Sequence, residues 1–170
     1  MRVPVSLLPL LAFVACSVLP VRAGDDAKTT SAKALSSLDG AWQLVSMVIA
    51  GADKDAADLK NLLTLIRDGV LLIRKGDRTL AHAELTVDPA KTPKAIDLTM
   101  LEGEAKGKTF PGIYKLEGNF LTICHAQPDD NRPRTFISGP ESTITLMVYR
   151  RLPGLLEGET PLGKSAKETN

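Results

Sequence analysis

Between positions 42 and 151, short apolar stretches alternate with turn signals about every ten residues, the pattern of an antiparallel sandwich or barrel. The stretches are 42–49, 65–67, 70–75, 79–88, 95–100, 112–117, 119–125, 134–138 and 143–151. Asp68-Gly69 suits the positive-φ geometry of a tight hairpin, and Glu117-Gly118-Asn119 marks another. In 79–88, Ala81, Ala83, Leu85 and Val87 share one face while Leu80, His82, Glu84 and Thr86 share the other. One helix is expected, over 52–63, where Ala56, Leu59, Leu62 and Leu63 fall on one side and Asp53 or Asp55 serves as cap. About eight or nine strands with one short helix after the first strand make a mainly β chain. An antiparallel barrel, which closes its own edges, suits that count.

The flanks differ from this core. Arg2 precedes an uncharged apolar run over 3–19, and Val21-Arg22-Ala23 offers the small residues that signal peptidase reads. Residues 1–23 therefore read as a signal peptide, and the protein as exported to the periplasm or secreted. The run is broken by Pro4 and Pro9 and falls short of the roughly 20 residues of a spanning helix. Phe13-Val14-Ala15-Cys16 leaves lipid anchoring through Cys16 as an alternative. Processing takes the basic count from 21 to 19 against 20 acidic residues, a formal net of −1. That balance argues against nucleic-acid binding. It also leaves Cys124 alone, so stability must come from packing rather than an internal disulfide. No second run of spanning length occurs in the mature chain. Residues 24–37 read as a flexible polar leader, 38–152 as the barrel domain, and 153–170 as a disordered polar tail.

Gly40-x-Trp42 at the start of the first strand resembles the Gly-x-Trp signature of lipocalins. The resemblance implies that Trp42 closes one barrel end beneath an Arg following the last strand. Arg150 and Arg151 both stand there, and Arg150 shares its parity with Ile144, Leu146 and Val148. A cation over an indole contributes about 0.5–2 kcal/mol. More broadly, Asp88-Pro89-x-Lys91-x-Pro93-Lys94-Ala95-Ile96-Asp97-Leu98-Thr99 resembles the hallmark of a lipocalin-like paralogous domain of planctomycete bacteria. Gly107-Lys108-Thr109, Gly112-Ile113-Tyr114-x-Leu116-x-Gly118, Leu121-x-Ile123-Cys124 and Arg132-Pro133-x-x-Phe136 extend it over nearly all of 38–151. That family is a domain of unknown function, so the resemblance implies a fold and carries over no site residue. Physically, Pro89 and Pro93 stiffen a strand crossing, Gly112 marks a bend, and Arg132 is placed to pin its loop to a carboxylate or to carbonyls.

Motifs for chemistry fail on context. Gly103 to Thr109 has three residues between its glycines where a phosphate loop needs four, and a strand rather than a helix follows. Cys124 and His125 are sequential in a strand and point to opposite faces, so they do not chelate together; His82 could be joined by Glu84 on its face and by His125 from a distant strand, but nothing in the spacing demands it. Ser138-Gly139 lacks a nucleophile elbow, and Cys124 reads as a small core residue. Glu84, Asp97 and Glu102 form no acid–base pair that spacing defines. The expectation is a non-enzymatic protein needing no cofactor or metal. A barrel of about eight strands either fills with side chains or admits one small molecule. Leu44, Ile73, Leu85, Leu98, Tyr114, Leu121, Ile123, Phe136 and Leu146 are the expected lining, around a small hydrophobic ligand. The alternative is a filled barrel that meets an envelope protein through loops such as 103–108 or 127–132.

Overall fold

A computed structural model describes residues 23–154; the expected signal segment up to position 22 and the tail from 155 lie outside them. Nine strands follow in chain order: β1 (Gly40–Ile49), β2 (Ala52–Asp53), β3 (Leu62–Arg67), β4 (Val70–Lys75), β5 (Arg78–Asp88), β6 (Ala95–Met100), β7 (Thr109–Glu117), β8 (Phe120–His125) and β9 (Thr145–Leu152). Every strand is antiparallel to its neighbours, and β2 pairs only with the end of β1. The sheet closes where β1 meets β9, from Ala41↔Leu152 to Ile49↔Thr145. The result is a closed antiparallel barrel of eight strands with one short extra strand. The hairpin expected at Asp68-Gly69 joins β3 to β4, both residues having positive φ. Among the described residues, no helix is long and apolar enough to cross a membrane.

Alternation decides what fills the barrel. Leu62, Thr64 and Ile66 of β3 point inward, as do Ala83, Leu85 and Val87 of β5 and Ile96 and Leu98 of β6. From β7 to β9 the inward set includes Tyr114, Leu121, Ile123, Met147 and Tyr149. Trp42, Ile66, Leu71, Ile96, Leu121, Ile123 and Tyr149 are at most 1% exposed, so the half of the barrel around Trp42 is solid. Each fully buried side chain of this size contributes about 1.5–3 kcal/mol.

Three local expectations are corrected. The helix expected over 52–63 shrinks to one turn, α2 (Ala56–Leu59), because Asp55 caps it and the positive φ of Asn61 redirects the chain into β3. Leu59 still packs in the core, whereas Leu62 is buried as a strand residue. The leader expected over 24–37 is instead the helix α1 (Ala23–Ser36). Its Ala27, Ala32 and Ala34 favour helix, but only its last turn carries apolar anchors, so no amphipathic period was visible. Ala34 and Leu35 pack on the core, and Leu35 lies so close to Gly69 that a Cβ there would meet it at 2.8 Å.

The strand expected over 134–138 does not form. Residues 126–144 instead run as one irregular connection over the outside of β7 and β8, broken by Pro133, Gly139 and Pro140. Ile113 and Cys124 face away from the interior yet are buried at 1% and 0% exposure beside this connection. Arg132 anchors it: Nη1 donates to the carbonyls of Ile96 (2.8 Å) and Gly112 (2.6 Å), and Nη2 pairs with Asp97 Oδ1 at 2.7 Å. Both partners foreseen for this guanidinium, a carboxylate and main-chain carbonyls, are present.

Candidate ligand site at the open end of the barrel

The two barrel ends are built differently. At one, the Arg151 guanidinium lies 4.1 Å from the Trp42 ring centre and donates to the carbonyls of Asp39 (2.6 Å) and Ser37 (2.9 Å). Trp42 Nε1 donates to the Leu38 carbonyl at 2.9 Å. A Cβ at Gly40 would stand 2.6 Å from Arg151 Nη1, which is why the residue two before the indole has no side chain. This corrects Arg150 as the closing cation. Its neighbours across the ladders are Gln43 and Phe120, on the outer face of β9. Both faces of β9 are apolar, so counting from Leu146 selected the wrong one. A bulge at Val45 in β1 lets that strand follow β9.

At the opposite end the inward positions include, besides Ile49, Ala81 and the buried Thr145, Met47, Ile73, Met100, Phe110 and His125. These last five are only partly buried, and the four apolar ones among them pack against the solid core below. This cup ends on Leu62, Leu98 and Ile123, each at most 8% exposed. Of the residues expected to line an interior, Ile73 lies in the cup and Leu98 and Ile123 form its floor. Leu44, Leu85, Tyr114 and Leu121 point inward but are consumed by core packing. Two do not face the interior. Leu146 sits between Val48 and Cys124 on the outer face. Phe136 lies in the irregular connection, with Lys115 Nζ 5.6 Å from its ring centre. Sequence parity around Ile96 and Leu98 already pointed Met100 inward. Phe110 was missed because β7 was started at Gly112, past Pro111.

Among the polar side chains of this end are His125 and Thr145, paired across β8 and β9, with Thr64 buried below them. His125 Nδ1 lies 3.1 Å from the Ala126 carbonyl, which only accepts, so Nδ1 carries the proton and the neutral ring leaves Nε2 as an acceptor. Its ring meets Phe110 edge-to-face, centres 5.5 Å apart. The strand opposite makes room with Gly112, where a Cβ would meet the Cys124 carbonyl at 2.8 Å and His125 Cβ at 3.1 Å. Deeper in, Thr64 stands between Trp42 and Ile73, fully buried, and its hydroxyl has no hydrogen-bond partner among the described residues.

Burial holds the His125 pKa below its usual 6.5, with the Ala126 carbonyl opposing. The unfolded chain then binds more protons than the folded one between the two pKa values. Stability from the neutral ring is complete above about pH 6.5 and is lost as pH falls toward the folded pKa. The drop in unfolding free energy between pH 7.5 and 5.5 is expected to shrink in His125→Asn, as measured by urea titration.

The remaining ionisable candidates are engaged elsewhere. His82 Nδ1 bonds Glu102 Oε1 at 2.8 Å on the surface, and Asp97 is held by Arg132. Cys124 bonds the Thr135 carbonyl through Sγ at 3.6 Å, and desolvation pushes its thiol up to about 11. The native thiol should resist iodoacetamide at pH 8 and react fully in denaturant, as read by mass spectrometry. No family model, curated protein or solved structure matches the chain.

Proposed function

We propose that this protein is an exported, non-enzymatic, lipocalin-like barrel that holds a small, largely apolar molecule bearing one polar group at its open end. The observation that carries this reading is the asymmetry of the ends. One is plugged by Trp42 and Arg151, while the other presents partly exposed Met47, Ile73, Met100 and Phe110 around a histidine. Ligand sites are mostly apolar with a few placed polar groups, and this cup has that composition. The free acceptor of His125 suits a ligand hydroxyl. Thr64 Oγ1 offers a second partner to a group reaching deeper, and leaving it unmet costs about 1–3 kcal/mol. A non-catalytic role is supported by the commitments of Asp97, Glu102 and Cys124, each tied to structure rather than poised for transfer of a proton or acyl group.

The test is titration with the neutral fluorophore N-phenyl-1-naphthylamine, followed by mass spectrometry of solvent extracts from the purified protein. Saturable enhancement that Ile73→Glu weakens at least about tenfold is expected, since a charge in an apolar site is costly. Absence of saturable binding, together with empty extracts, would contradict the proposal. It would favour the filled barrel that meets an envelope protein through its loops, a reading supported by the solid half around Trp42.

A further inference from the structure

A second concave surface lies outside the barrel, where the 126–144 connection passes the crossing between β5 and β6. It is a groove of about 880 Å³. Its apolar surface is supplied by the partly exposed Pro93 and Ile144, with Ile113 and Pro133 buried beneath them. Its rim carries three cations, Lys91, Arg132 and Arg134, with no carboxylate among the lining residues.

The three cations are not equivalent. Arg132 is spent on two carbonyls and Asp97. Lys91 is partly neutralised by Asp88, 3.7 Å away. Arg134 is exposed, and among the described residues it has neither an ion pair nor a hydrogen bond. Thr92 and Asn131 on the same rim likewise hold hydroxyl and amide groups without partners among the described residues. A planar guanidinium with its donors open, beside an apolar floor, matches a carboxylate whose body is apolar, because two parallel N–H donors meet two carboxylate oxygens. A strongly hydrated anion such as free phosphate gains nothing from the apolar floor.

We propose that this groove is a binding site for a small monocarboxylate with an apolar body, its carboxylate on Arg134 and its body on Pro93 and Ile144. The site is separate from the barrel mouth and does not depend on what the mouth holds. Arg134 is also the clean handle: it anchors nothing, so replacing it leaves the fold intact, whereas replacing Arg132 releases the loop.

The experiment is amide chemical-shift mapping of the purified protein with sodium octanoate, with acetate, 1-octanol and inorganic phosphate as controls. The expected result is saturable shifts at Thr92, Ile113, Asn131 and Arg134, weakened at least about tenfold in Arg134→Gln and by 0.5 M salt, and partly retained in Arg134→Lys. Acetate, octanol and phosphate should not saturate there over the same range. Octanoate shifts confined to Phe110 and His125 would assign it to the mouth and overturn the proposal. Equal binding by Arg134→Gln, or by octanol, would overturn it as well.

Discussion

Trp42→Ala should lower the unfolding free energy by about 3–5 kcal/mol, whereas Lys106→Ala, on an exposed turn, should stay within about ±0.5 kcal/mol. The indole is 0% exposed and forms the floor of the closed end. Its removal opens a cavity against the Thr64 side of β3, where the neighbouring strands cannot collapse without breaking the β1–β3 ladder. It also orphans the Leu38 carbonyl and takes away the surface on which Arg151 lies. Arg151 would still reach Ser37 and Asp39, so the loss belongs to packing more than to charge. Because Trp42 is the one tryptophan of the chain, unfolding must be followed by circular dichroism rather than intrinsic emission. Equal stability of the two variants would mean that the indole does not plug the barrel.

Arg132→Met should cost about 2–4 kcal/mol and loosen one specific segment. The guanidinium joins the irregular connection to β6 and β7 at once, through two carbonyls and a carboxylate. Hydrogen bonds to charged groups contribute about 1.5–3 kcal/mol each, and bonds made by one side chain do not add independently. The carboxylate's share is reduced by solvent, since the Arg132 and Asp97 side chains are 29% and 34% exposed. A loosened connection uncovers Cys124, so alkylation of that thiol in the folded variant should accelerate before global unfolding. Unchanged alkylation and unchanged stability would show that the connection is held by its buried Pro133 and Ser138 instead.

Most of the barrel was readable because its strands obey one simple rule. In β5, alternation of Ala81, Ala83, Leu85 and Val87 against polar partners named the inner face correctly. Asp68-Gly69 could form only one kind of turn. Where a strand is apolar on both sides the rule loses its content. β9 is apolar on both faces, so Leu146 and Val148 look as interior as Met147 and Tyr149, and the choice of Arg150 over Arg151 followed from that. Phe136 lies in the irregular connection over β7 and β8, where it meets Lys115 outside the barrel rather than the interior. α1 was invisible for another reason: a helix anchored only by its last turn shows no period. The cup was half legible. Ile73 is legible in the sequence, but Met47 lies beyond the Val45 bulge, which reverses parity, and nothing in the sequence marks His125 as facing the barrel mouth.

The meeting of β1 with β9 makes one end of the barrel a plug and the other a mouth. Cross-strand proton–proton nuclear Overhauser effects measure it directly. The closed barrel predicts contacts between the backbones of Trp42 and Arg151, and of Met47 and Met147, with slowly exchanging amides in both strands. Their absence, with β1 and β9 amides exchanging as free edges, would contradict it.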